Sequence, residues 1–464
     1  MTKVLYVDDL LVPDSLAHSI SDKYQRWDMK RSEKLGEWEE IQRYIFATDT
    51  TKTGNSKLPW SNKTTIPKLC QIRDNLYANY LATLFPKQKF LEWEGDTRDD
   101  SSRAKKEAIE QYIAWAIDRN EFYTEAEKIV CDYIDYGNCF ATVDWSDRST
   151  KEDAVPQQKG YVGPVITRIS PLDIVFNPAA RDFASSPKII RSLVSIGEVK
   201  QMLMQASKTD EDRAASEELF NYLTKIRSEA TAPLERGKAW GVKDAIYTVA
   251  GFGNFHDYLC SDTIEVLTFY GDLYDEETGA YKQNRVVKVV DRHKIILDVE
   301  NPTVFGNAPI YHCGWRIRPD NIWAMGPLEN LVGMQYRIDH IENLKADVFD
   351  LIAAPPLMVK GLVEDFVWGP FARIYVGDDG DVKPLAPDGN VLSANLEINN
   401  LEGKMEEYAG SPKEAAGFRT PGEKTAYEVQ RLENAANRIF YSKTKQFEEI
   451  FLEPLINDCI ELLR

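Results

Sequence analysis

The chain has 464 residues, 43% hydrophobic and 28% charged, with a formal net charge of −18. That length exceeds one simple domain, and the composition excludes general disorder, so two or three folded units are expected. The global acidity disfavours a protein that grips nucleic acid over its whole surface, while leaving room for one that lets nucleic acid slide past.

In chain order, residues 14–47 carry Leu16, Ile20, Tyr24, Trp27, Leu35, Trp38, Ile41 and Ile45 at roughly helical intervals, which predicts one or two helices. Thr48–Asn62 reads as a polar loop. Helical spacing returns over Ile66–Phe85 and stops at Pro86. Ser101–Gly137 predicts two helices broken near Arg119–Asn120, with Gly137 as a C-terminal stop. The pattern then becomes β-rich, with strands at Asn138–Trp145, Val165–Phe176 (interrupted by Pro171) and Ile189–Ser195. Gly197–Arg227 reads as helical, and Ser228–His256 carries only weak, mixed signals. Thr263–Tyr274, Arg285–Asp291 and Lys294–Val299 form a predicted meander turning at Asp275–Gly279, followed by a short strand at Pro309–Trp315.

Met325–Val359 holds the clearest single pattern. Gly326 and Pro327 are start signals, Pro355 and Pro356 are stop signals, and the 27 residues 327–353 between them predict about 40 Å of helix. Leu331, Met334, Ile338, Ile341, Val348 and Ile352 recur at alternating spacings of three and four, with Lys345 the one polar member of the stripe. A long helix with a narrow stripe and a polar remainder calls for helical neighbours. Beyond it, Arg373–Val376 and Val382–Leu385 flank Gly377-Asp378-Asp379-Gly380-Asp381 as an expected hairpin. Ser393–Tyr408 is a shorter helix, and Gly410–Lys424 is a glycine-rich basic loop. Thr425-x-x-Glu428 is a capping box that opens a last long helix. Its stripe is Val429, Leu432, Ala436, Ile439, Phe447 and Ile450, broken by Lys443, and Pro454 is expected to kink it.

Signals for chemistry are weak. Gly417–Thr425 resembles a phosphate-binding G-x-x-x-x-G-K-[ST] loop with one residue too many, Glu423, and no strand is expected before it. There is no G-x-S-x-G elbow and no H-E-x-x-H. His256 with Cys260, and His312 with Cys313, lack the further ligands a metal site needs. Asp378, Asp379 and Asp381 lack the rest of a calcium loop. The six cysteines are scattered without a C-x-x-C pair, so mostly buried thiols are expected rather than disulfides or zinc. No apolar run approaches the ~18 residues that would cross a bilayer. The acidic start MTKVLYVDDLLVPD is unlike a signal peptide, so a cytosol-like compartment is expected. No catalytic residue and no cofactor is assigned.

The order of elements from residue 263 carries more: strands, long helix, small β insert, short helix, basic loop, long proline-containing helix. With Ala308-Pro-Ile-Tyr-His-Cys-Gly-Trp315, Gly326-Pro-Leu-Glu-Asn330, Gln335, Asn343, Pro355-Pro356, Thr425-Ala-x-Glu-Val429 and Glu453-Pro-Leu-Ile456, the chain resembles the portal (head-to-tail connector) proteins of tailed bacteriophages, the short-tailed type in particular. The likeness is clear over about 305–464 and only architectural over 65–304.

The resemblance implies an α+β fold divided into an N-terminal helical arm (1–64), a wing with a helical and then a β-rich part (65–325), a first stem helix (326–353), a clip (354–393), a second stem helix (394–410), a tunnel loop (411–424) and a kinked wing helix (425–464). The family's crown would be absent, minimal or outside this sequence. It further implies a non-enzymatic ring of twelve copies at one capsid vertex of the virion, assembled in the host cytoplasm. Double-stranded DNA would pass without sequence specificity during packaging and ejection. The partners implied are the terminase large subunit, the major capsid or scaffolding protein and the tail adaptor, with no membrane. On this reading Lys413, Arg419 and Lys424 face DNA, the stripe from Leu331 to Ile352 with Lys345 joins neighbouring stems, and Arg373, Asp378, Asp379 and Asp381 belong to the clip. The alternatives are a nuclease or NTPase of unfamiliar type, and another helical virion scaffold or adaptor.

Overall fold

The computed structural model describes residues 16–53, 61–86, 92–93, 100–120, 122–147, 161–206, 210–229, 238–253, 255, 263–274, 281–292, 294–301, 308–361, 380–385, 393–410 and 438–463. These form a mixed α+β fold whose sheets are antiparallel.

Two helices, α1 (Leu16–Lys30) and α2 (Ser32–Phe46), divide at Arg31. That guanidinium is buried and bonds the Asp28 carboxylate and the carbonyls of Pro171, Leu172 and Ile174 at 2.6–3.0 Å. One side chain thus holds the junction of α1 and α2 against the turn that leads into β3. Then follow α3 (Lys68–Leu84), α4 (Asp100–Arg119) and α5 (Phe122–Asp135). Strand β1 (Asn138–Asp147) lies between β2 (Val162–Ile169) and β8 (Ile310–Gly314). A second sheet runs β3 (Ile174–Phe176), β4 (Lys188–Ser195), β5 (Thr263–Tyr274), β6 (Tyr281–Val290), β7 (Lys294–Glu300). Ala17, Ile20 and Tyr24 of α1 cover one part of it.

Between β4 and β5 the single helical stretch expected over 197–227 is two helices, α6 (Ile196–Ala206) and α7 (Asp210–Glu229). The weak stretch after them contains α8 (Lys238–Ala250), whose Trp240, Val242, Ala245 and Val249 are buried. Two short strands, β9 (Arg316–Arg318) and β10 (Asn321–Met325), precede the long helix α9 (Val332–Ala353). Strands β11 (Leu357–Lys360) and β12 (Asp381–Pro384) pair, and α10 (Asn395–Ala409) follows, ending at Gly410 in the left-handed region. The last helix comprises α11 (Arg438–Phe447), a π-helical turn (Glu448–Leu452) and α12 (Glu453–Glu461).

One contact sets where α9 departs. Gly137 lies at φ +66°, and a Cβ there would stand 2.3 Å from the backbone N of Gly326. The turn after α5 and the chain entering α9 therefore touch backbone to backbone, which only glycine permits. Beside them Asn138, fully buried, donates to the carbonyls of Tyr136 and Ala324 and accepts from Ala324 N. An aromatic core of Tyr80, Tyr133, Trp315 and Phe447 joins α3, α5 and α11.

Candidate functional site

Helix α9 begins five residues later than its proline suggests. Residues 327–331 form turns instead, because Gly326 N donates to Glu329 Oε1 and Leu331 N to the Leu328 carbonyl. Glu329 is itself paired with Lys34 of α2 at 2.5 Å. This turn ties the chain to α2 before α9 starts.

The apolar stripe divides along the helix. Leu331, Ile338 and Ile341 are buried in this chain's own core and Met334 packs against it, so these four are occupied within the subunit. Assigning the whole stripe to a neighbouring copy is thus corrected at its N-terminal half: α2, α3 and α10 already cover that face. Lys345 pairs with Glu342 one turn back and donates to Asn395 Oδ1 at 2.9 Å, which ties α9 to the start of α10. Val348 is half-buried, and Ile352 is exposed.

A second row runs beside the stripe at intervals of four: Gln335, Asp339, Asn343 and Asp347. Such a row winds slowly enough around a helix to track an extended chain. The chain it tracks is 61–69. Asp347 accepts from Ser61 N, Asn62 N and Asn62 Nδ2 at 2.8–3.0 Å. Asn343 Oδ1 accepts from Thr64 N, and its Nδ2 donates to the carbonyls of Thr64 and Asp339. Asp339 accepts from Ile66 N, Thr65 Oγ1 and Gln335 Nε2, and Gln335 Oε1 accepts from Leu69 N. The backbone groups of this strap have no sheet to join, so side chains of α9 satisfy them. Burial pushes the Asp339 carboxyl up to about 6 against these donors. Burial also acts to raise Asp347, but the N–H donors of Asn62 and Ser61 outweigh it and hold that carboxyl low. At the end of the strap Lys68 pairs with Glu406 of α10 at 2.5 Å, both nearly buried.

Past Asp347 the character of α9 changes. Phe349 (60% exposed), Leu351 and Ile352 stand in solvent, with Leu344 just before them, as do Met358 and Val359 of β11 and Leu385 after β12. Leu396 (78% exposed) and Tyr408 do the same on α10. One end of the helix is thus fully engaged, and large apolar side chains are exposed at its other end, on β11, after β12 and on α10.

Of the other expected site residues, Lys413, Arg419 and Lys424 lie outside the described residues, as do Arg373, Asp378 and Asp379 and the phosphate-loop resemblance at 417–425. Asp381 is exposed and pairs with Lys383 at 2.9 Å. Among the described residues its strand pairs with Leu357–Lys360, and the expected partner Arg373–Val376 lies outside the described residues. Pro454 sits at the start of α12, directly after the π-helical turn. A proline has no N–H for the Ile450 carbonyl and would press its ring against it, and the widened turn accommodates this; Glu453 N bonds Glu448 O instead. In the stripe of that helix Ile439 and Ile450 are exposed, while Phe447 is buried beside Phe451. Lys443 donates to the Trp315 carbonyl and Gln446 to the Gly314 carbonyl, docking the helix on β8.

His312 is half-buried and bonds Asn138 Oδ1 at 3.1 Å, and desolvation together with the nearby Lys188 charge lowers its pKa to about 3. It is a neutral core residue. Among the described residues no three His, Cys, Asp or Glu side chains gather as a metal site. Cys139, Cys313 and Cys459 are buried and Cys70 and Cys131 half-buried, all as free thiols. No helix among the described residues is long and apolar enough to cross a membrane.

The polar row was legible in principle as Gln, Asp, Asn and Asp four apart, but the sequence reading singled out only Gln335 and Asn343, as part of the family resemblance, and gave the row no partner. Set against known proteins, the chain matches no family model and no curated protein.

Proposed function

We propose that the chain is the subunit of a portal-type ring, in which copies stand side by side around a channel for double-stranded DNA. The observation that carries this reading is the exposed apolar band on the C-terminal half of α9, β11, the end of β12 and α10. Large apolar side chains left exposed on neighbouring elements, rather than scattered singly, mark an interaction surface. The strap anchors α9 at its other end and pairs with α10 through Lys68 and Glu406, so a held stem is offered to a neighbour. A ring of like subunits needs an interface between two different faces that closes on itself. Helices packed between copies of themselves account for a stripe that continues beyond the subunit's own core.

On this reading the apolar band joins adjacent stems, Asp381 and the rest of the clip meet the packaging motor and later the tail adaptor, and the loop carrying Lys413, Arg419 and Lys424 meets DNA phosphates. Such contacts are independent of sequence and weaken with salt. Twelve copies of −18 would carry roughly −216 formal charges, a field that keeps DNA from adhering to the wall. The capsid vertex of a virion is the place such a ring would occupy, with the terminase supplying the energy.

The test is the oligomer mass by light scattering of the unaltered chain and of the Phe349→Asp, Ile352→Asp double variant. Both positions are exposed in the single chain, so the variant should keep its helix content and melt normally. The reading expects a ring mass for the first and a monomer for the second. A monomer in both cases, or a ring in both, counts against the band as the joining surface.

A further inference from the structure

A cleft of about 600 Å³ lies where α1 and the start of α2 face β3, β9 and β10. Its lining carries six Lys or Arg side chains against two Glu, in a chain whose net charge is −18. The cations differ in what they have left to offer. All five N–H groups of Arg31 are taken by Asp28 and three carbonyls, and Lys34 pairs with Glu37 and Glu329. These two are neutralised in place and make a fixed polar floor, so the charge left for a ligand comes from the others. Lys30, in the last turn of α1, and Arg318, at the end of β9, are exposed and make no ion pair among the described residues. The half-buried Trp27 lies in the same wall, and Trp323 closes the floor, stacked on Phe176 at 4.7 Å.

We propose that this cleft binds a phosphate-bearing ligand of nucleotide size, with Lys30 and Arg318 taking the phosphate and the Trp27 indole flanking the base. The volume falls in the range of small-molecule sites. A planar guanidinium on one rim and a mobile ammonium on the other suit a tetrahedral anion. An indole suits a flat aromatic group better than it suits a flexible carboxylate chain, which favours a nucleotide over an acidic peptide. The ligand can be a free nucleotide or a nucleotide within a strand. The cleft is built from the arm and wing, so its chemistry does not require ring formation.

Titration calorimetry on the full chain tests this, with ATP, a single-stranded hexathymidylate and hexaglutamate as separate probes at low salt. Saturable binding of one phosphate probe per chain is expected, weaker as salt rises. The Lys30→Ala, Arg318→Ala double variant should weaken it about tenfold or more, and Lys30→Arg should largely preserve it. Both side chains are exposed, so the melting transition should not move. A preference for ATP or for the oligonucleotide assigns the source. No saturable binding to either phosphate probe, an unchanged affinity in the double alanine variant, or hexaglutamate binding as tightly as the phosphates would each overturn the proposal.

Discussion

Asn343 offers the sharpest test of how α9 is anchored. Its amide is fully buried and makes three hydrogen bonds, two of them to the N–H and carbonyl of Thr64, at 2.8 Å each. Leucine at this position is similar in size but leaves both Thr64 groups without these partners. A buried orphan costs about 1–3 kcal/mol, and two would sum to several. Thr64 itself is exposed, however, so water can reach its backbone once the amide is gone. The expected cost therefore sits toward the low end, about 1–3 kcal/mol in total, borne by the strap rather than by the whole fold. That corresponds to roughly a five- to 150-fold loss of amide protection. Hydrogen exchange with mass spectrometry on peptides spanning 61–69 reads it directly, and the aromatic core around Tyr133 should stay as protected as before. Unchanged exchange of the strap in Asn343→Leu would refute the claim that the Gln335–Asp347 row holds it.

Further expectations follow from the same contacts. Asp339, whose carboxyl is raised to about 6 from 3.8, binds a proton more readily folded than unfolded. Its contribution is full below pH 3.8 and is lost as pH climbs through 6, so stability from this group falls across that window. Asp339→Asn should flatten that part of the stability–pH curve in urea titrations, and a steeper fall than in the unaltered chain would contradict it. Gly137→Ala places a methyl 2.3 Å from Gly326 N at φ +66° and should leave the chain largely insoluble or strongly destabilised; a normal thermal transition would show that the crossing can relax. Neutralising Arg419 and Lys424 together should impair DNA packaging or retention with ring assembly intact, and unchanged packaging would reject a DNA role for that loop.

What the sequence made legible depended on who supplies the packing. Helices α1, α2, α3 and α5 and strand β5 bury large side chains at regular intervals, so periodicity alone located them. α8 was missed because Gly241 and the β-branched Val242, Thr248 and Val249 weaken its pattern, and its place is set by packing of residues such as Val242 into the core. The start of α9 was misjudged because Glu329 caps the backbone of Gly326 and draws 327–331 into turns. The row Gln335, Asp339, Asn343, Asp347 was hidden for another reason: its partners are backbone groups more than 250 residues earlier in the chain, which no local pattern records. The apolar stripe was visible, but the sequence did not separate the half used within the subunit from the half left over.

The leftover half is what the account turns on, and electron microscopy of the purified full chain addresses it most directly. Annular particles with an open centre, built from about a dozen copies, are the predicted result. A population of single chains that stays monomeric across concentration, salt and added scaffolding protein would contradict it.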